Sequence, residues 1–326
     1  MKKYLYRIVL GVVSFLVVIV LGAVMYLTYA LPDVDPAPDL IIDRTPERIS
    51  QGAYLVNNVL ICMDCHSERD WTKFSGPLVE GSLGMGGELF DEGIGLPGRY
   101  YAPNITPYGI GDWTDGEVFR ALTSGVNRDG KALFPLMPYP DYANMDEEDI
   151  YSVIAYLRTL EPIEYDVPES KSNFPMNLII NTMPVKPNLQ KKPDKNNAVN
   201  YGQYLVNSAG CKSCHTRFEN GSYFDDMELA GNREFPMPDG SVVKSANITF
   251  HTETGIGTWT KETFIERFKA YEDPELLNTI IEPGAFNTVM PWTLYSKLTH
   301  EDLEAIYEYL KSVEPIENQI VQVTQQ

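Results

Sequence analysis

Basic residues are in short supply: Lys and Arg number 26 against 45 Asp and Glu, a formal net charge of −19 over 326 residues. That shortage argues against nucleic acid as a partner, because phosphate binding is driven by Lys and Arg. An acidic surface favours solubility and steering toward a basic docking patch, although a generally acidic composition accounts for the number as well. The chain also lacks a phosphate-cradling glycine loop and any nucleophile–base arrangement, so nothing in it reads as a substrate site. Cysteine and histidine are scarce, four of each. What remains is ordinary for a globular protein, with 44% hydrophobic and 22% charged residues and length enough for two domains.

One long apolar run is present. From Ile8 to Ala30, 23 residues carry no charge, enough for a helix to cross the hydrocarbon core. Lys2, Lys3 and Arg7 precede it and Asp33, Asp35 and Asp39 follow, so the positive-inside rule places the N-terminus in the cytoplasm and the rest in the periplasm. A cleaved signal peptide, with Thr28 and Ala30 before the cut, is the rival reading, but secretory apolar cores are shorter. The sequence LPDVDPAPD from Leu31 to Asp39 reads as an extended, semi-rigid stalk that would hold the remainder of the chain off the bilayer.

Beyond the stalk the chain repeats itself. GAYLVN at Gly52 matches GQYLVN at Gly202; CMDCH at Cys62 matches CKSCH at Cys211; NITPYGIGDWT at Asn104 matches NITFHTETGIGTWT at Asn247; MPY at Met137 matches MPW at Met290. The offset drifts only between 143 and 153, as loop insertions between fixed elements would make it. The expected organisation is an anchor over 1–30, a stalk over 31–45, modules over 46–162 and 199–318 joined by 163–198, and a tail over 319–326. The fold class expected is all-α. One helix leads into each cysteine motif, a second opens at Thr114 and at Thr260, and a third runs from about Glu147 to Leu160, with a counterpart carrying Leu303, Ile306, Tyr307, Leu310 and Val313. The apolar stretch NFPMNLIINTMPV, from Asn173 to Val185, is expected to pack on one or both modules.

The C-x-x-C-H pattern is the attachment signature of c-type haem. Two intervening residues let both sulfurs reach the haem edge while the histidine turns under the iron. Cys62, Cys65 and His66 therefore serve a first haem; Cys211, Cys214 and His215 serve a second. A thioredoxin-type pair would sit in a strand–helix–strand setting, a zinc site would not need a histidine after each pair, and disulfides at this spacing would stabilise little chain. For the sixth ligand, Met137 and Met290 are the one pair among 11 methionines with matched spacing to the closing helix; His/Met ligation closes the iron and suits electron transfer. Trp113 and Trp259, at matching positions, are open to two readings: an indole N–H on a haem propionate, or core packing. His251 and His300 read as surface residues.

These motifs resemble the class I cytochrome c domain, and NIT…GIG-x-WT, the later MPY and the closing helix resemble the cytochrome c subunits of bacterial membrane-bound alcohol and gluconate dehydrogenases. The resemblance implies tandem class I domains, here two of them behind the transmembrane helix read from the apolar run, with electrons passing from a dehydrogenase subunit toward ubiquinone. Those subunits usually carry three haem modules and often a C-terminal membrane segment; this sequence has two modules and an N-terminal run. The expected function is single-electron transfer, not catalysis, between partners such as a dehydrogenase, a quinol-oxidising complex or a terminal oxidase. A dihaem enzyme of peroxidase or thiosulfate-oxidising type, or a permanent subunit of a larger complex, are the alternatives.

Overall fold

The structure, a computed structural model, describes residues 2–219, 221–237, 239–282, 284–321 and 323–324. Helix α1 spans Lys2–Tyr29, has no buried residue, and is long and apolar enough to cross a membrane. Residues 31–45 have no regular structure, as three prolines between Leu31 and Asp39 dictate. They do not stand clear as a spacer, however. The backbone amide of Ile42 donates to the Asp115 carboxylate (3.0 Å), and Pro38 crosses Gly116 so closely that a Cβ there would lie 1.7 Å from the Pro38 carbonyl oxygen.

In the first half of the chain, α2 (Pro46–Tyr54) starts at the Thr45 cap and continues as a π-turn over Leu55–Val59 before the cysteine turn α3 (Cys62–Cys65). A short α4 (Pro107–Ile110) precedes α5 (Asp115–Ser124), which opens on the Thr114–Glu117 capping box expected there. Helices α6 (Tyr139–Tyr142) and α7 (Glu147–Leu157) follow. Helix α2 crosses α7 at Gly52, where a Cβ would meet the Ser152 carbonyl at 1.9 Å.

Strands β1 (Leu89–Phe90), β2 (Gly98–Tyr101) and β3 (Lys171–Ser172) form a small antiparallel sheet. After β3 comes α8 (Met176–Ile179) and a 3₁₀ turn to Thr182. This joining segment runs along the first half through hydrogen bonds from Val185 N to Ser124 O and Asn188 N to Ala143 O, and it touches α1. As expected, the stretch from Asn173 to Val185 lies on the first half, but none of its residues is fully buried.

The second half repeats the plan. Helix α9 (Ala198–Ser208) leads to α10 (Cys211–His215), then to α11 (Lys261–Lys269) capped by Thr260, α12 (Pro274–Leu277), α13 (Trp292–Tyr295) and α14 (His300–Ser312). Helix α9 crosses α14 at Gly202, again with 1.9 Å between a hypothetical Cβ and the Ala305 carbonyl. Strands β4 (Phe218–Glu219) and β5 (Ser222–Tyr223) make a hairpin; β6 (Glu234–Pro236), β7 (Val242–Lys244) and β8 (Val323–Thr324) make a sheet that takes in the chain's last described residues.

The fold is mostly helical, 43% against 8% strand, so the all-α expectation is amended by these short strands in the glycine- and proline-rich loops. One apolar cluster runs through both halves, from Val56, Val153 and Ile154 to Leu205, Leu303 and Ile306.

Candidate functional site

Each cysteine turn begins where a left-handed residue breaks the preceding helix: Ile61 at φ 46° and Gly210 at φ 68°. The break restarts the chain as a single turn whose two cysteines, three residues apart, face one side. His66 closes the first turn with its amide on the Cys62 carbonyl (3.0 Å). Its imidazole is 8% exposed, and Nδ1 lies 2.7 Å from the Pro103 carbonyl oxygen. His215 repeats this with Nδ1 2.8 Å from the Ala246 carbonyl. A carbonyl only accepts, so Nδ1 carries the proton in both rings and Nε2 keeps a free lone pair. Burial depresses both imidazole pKa values, which keeps the rings neutral as metal donors require.

The supports are duplicated too. The His66 carbonyl accepts from Gly86 N (2.9 Å) and the His215 carbonyl from Gly231 N. Both glycines have positive φ and sit against the segment carrying the histidine's acceptor, 2.5 Å from a hypothetical Cβ to backbone atoms of Pro103 and Ala246. The side chains of Ser67 and Thr216, next after the histidines, accept from Gly84 N and Leu229 N at 3.1 Å. Sequence comparison of the halves missed this shell, although Gly86 and Gly231 were its visible trace.

None of the four cysteines is in a disulfide. Burial pushes the Cys62 and Cys211 thiols up to about 12. A thioredoxin-type nucleophile needs the opposite shift. Among the described residues no three His, Cys, Asp or Glu side chains converge on a point, as a zinc site would require. The donor set fits a haem instead: paired thiols on one turn, and a neutral, buried histidine with its outer nitrogen fixed.

Met137 and Met290 are half-buried in loops just before α6 and α13, packed on the same apolar cluster as Cys62 and Cys211. The tyrosine five residues after each methionine anchors the loop to its own cysteine motif. Tyr142 Oη donates to Leu60 O (3.5 Å) and Tyr295 Oη to Ala209 O, each two residues before the first cysteine. Burial holds both phenols well above their usual pKa.

The Met290 loop is also gripped by the other half. Ser75 Oγ donates to Met290 O (2.6 Å) and accepts from Trp292 N (3.2 Å), while Asn287 Oδ1 accepts from Ser75 N (2.8 Å). No repeat signal could have disclosed Ser75, because its partner lies outside its own half. Trp113 and Trp259 are half-buried against the cluster, with carbonyls bonded by Arg158 and by Tyr307 Oη (3.0 Å). His251 is half-buried and shapes its own turn, Nδ1 accepting from Thr254 N (3.2 Å); His300 is exposed in the first turn of α14.

Asp64, inside the first cysteine turn, pairs with Arg69 at 2.9 Å, both almost out of solvent. Burial and then Asp64 raise the Cys65 thiol, and the same carboxylate acts on Cys214 and Tyr295 of the second half. The first cysteine turn therefore lies within electrostatic reach of the second.

A cysteine pair followed directly by a preset histidine is the donor set of a c-type haem. Known proteins agree. The chain is similar to the cytochrome c subunit of a quinone-dependent alcohol dehydrogenase from Gluconacetobacter polyoxogenes, 26% identical over 289 residues that cover 84% of this chain and 58% of that one. It is similar to the cytochrome subunit of fructose dehydrogenase from Gluconobacter japonicus, 28% identical over 81% of this chain and 52% of the relative. A diheme cytochrome c-type protein of Cereibacter sphaeroides is 28% identical over 78% of this chain and 83% of its own length. The chain thus spans little more than half the length of the two dehydrogenase subunits. No protein-family model matches it.

Proposed function

We propose that this chain is a membrane-anchored dihaem cytochrome c that passes single electrons between redox proteins at the outer face of the cytoplasmic membrane. Residues 46–162 and 199–318 are two tandem class I domains, each built round one haem c. Cys62 and Cys65 hold the first by thioethers, with His66 and Met137 on the iron; Cys211 and Cys214 hold the second, with His215 and Met290. Trp113 and Trp259 would be the candidates to donate an indole N–H to the propionates. A bound haem would supply a one-electron couple, with one histidine and one methionine of this chain to hold its iron. The protein's part is to present a neutral Nε2, exclude water, and keep both centres in one body.

The observation that carries this reading is the duplicated histidine geometry, Nδ1 on a backbone carbonyl at 2.7 and 2.8 Å directly after two free cysteines. As in the dehydrogenase subunits it resembles, the partner is a dehydrogenase that delivers electrons; Lys2, Lys3 and Arg7 keep the N-terminus of α1 on the cytoplasmic side. Intact mass and reduced-minus-oxidised spectra test it. The purified protein should weigh its polypeptide plus two haems, and C62A/C65A should weigh one haem less. A colourless protein of polypeptide mass would end the proposal.

A further inference from the structure

Residues Asn173–Val185 pose a physical problem. Nine of the thirteen are apolar (Phe174, Pro175, Met176, Leu178, Ile179, Ile180, Met183, Pro184, Val185), none is charged, and none is buried. Phe174 is 80% exposed and Ile179 40%. On a chain of net charge −19 this uncharged, apolar strip is an exception to the surface around it.

Its position supplies the answer. Asn181 Nδ2 donates to the carbonyl of Leu27 (2.9 Å), and α8 with the 3₁₀ turn after it packs on α1. Leu27 belongs to the last turn of the apolar run that ends at Ala30. At 1.5 Å per residue it stands only about 4–5 Å below the end of that run. A bilayer that takes in α1 therefore has its outer boundary at the level of Asn181, where headgroups give way to acyl chains. A cleft between the segment and the helix exit, lined by Thr28, Leu31, Asn177, Ile180 and Asn181, opens at the same level. Lys171 and Lys186 flank the strip at its two ends, as residues that keep their charge in the headgroup layer while their stems lie along apolar surface.

We infer that Asn173–Val185 is a second membrane contact, lying in the outer leaflet of the bilayer that α1 crosses, with Phe174 and Ile179 among the acyl chains. The inference rests on α1 being a membrane span. The occupant is lipid and not a protein, because the contact is continuous with the exit of α1 and has no charge with which to select a partner. It seats the first half directly on the membrane surface, which the lie of residues 31–45 against α5 permits.

Photocrosslinking of the full chain in phosphatidylcholine liposomes tests this. The photoreactive p-benzoylphenylalanine is placed at Phe174, or at Phe15 within α1 as a reference, and digested peptides are weighed. Phe174 is so exposed that the replacement leaves packing untouched. The expected result is lipid adducts at both positions. Adducts at position 15 with none at 174, or adducts of 174 to protein, overturn the second contact while leaving the anchor intact. Absence of lipid at both positions overturns the anchor and this inference with it, whereas haem content, read separately, tests the cytochrome reading.

Discussion

Tyr54 and Tyr204 occupy the same place in the two halves, and each bonds the carboxylate of the opposite half. Tyr54 Oη donates to Asp302 Oδ2 (2.5 Å) and accepts from Thr299 N (3.0 Å); Tyr204 Oη donates to Asp149 Oδ2 (2.7 Å) and accepts from Asp146 N (3.3 Å). Both carboxylates are 2% exposed, and Lys195 and Lys192 stand beside them. Each phenol thus caps the first turn of the other half's closing helix, α14 or α7. The exchange is reciprocal, and it locks the halves into one body.

Removing either hydroxyl leaves a buried carboxylate short of a donor. Y54F and Y204F should each lower stability by about 1.5–3 kcal/mol, the range for hydrogen bonds to charged groups. Thermal unfolding followed at the haem band measures this, and both variants should retain two haems.

Alkaline pH should act through the same pair. Burial first, and then Asp302 or Asp149, raise both phenols above their usual value. A folded pKa above the unfolded one, about 10, means the stabilisation is complete below pH 10 and is lost as pH rises beyond it. The slope is up to about 1.4 kcal/mol per pH unit for each tyrosine. Denaturant titrations at rising pH should show a shallower fall in the Y54F/Y204F double variant than in the native chain.

Ser75 belongs to the first half but should govern the second centre. S75A removes the bond to Met290 O and the acceptor for Trp292 N. The absorption that marks iron–methionine bonding should weaken by up to half, with the first centre unaffected; M137A should remove the complementary half. Equal loss from both centres in S75A would contradict the placement.

Gly52 and Gly202 allow α2 to cross α7 and α9 to cross α14. G52A or G202A would put a methyl 1.9 Å from a backbone carbonyl. Helices must then separate, costing about 3 kcal/mol or more by overpacking. Yield of holoprotein and thermal midpoint should fall in both variants, far more than for alanine at Gly22 in α1, which has helical backbone and open space around it.

Much of this arrangement was legible in the repeats. The Thr114 and Thr260 caps and the closing helices were readable because capping chemistry and the 3.6-residue period are local signals. The cysteine turns were readable because their spacing is itself the chemistry. Tyr54 and Tyr204 also stood in the repeats, yet nothing local says that a phenol will reach a carboxylate in the other half of the chain. Ser75 left no trace at all. Arg158, which bonds Asp115 (3.1 Å) together with the Ile110 and Trp113 carbonyls, is likewise visible only once α7 lies on α5. Residues 31–45 read as a free spacer because proline content reports stiffness, not which surface the stiff segment lies on.

That last segment has a mechanical consequence. With Pro38 pressed on Gly116 and Asn181 tied to Leu27, the tether has no slack. With α1 in the bilayer, as proposed, the body behind it would not swing out on a leash to collect electrons from distant donors. Traffic would have to come to it, by lateral diffusion in the plane or by lasting association beside it.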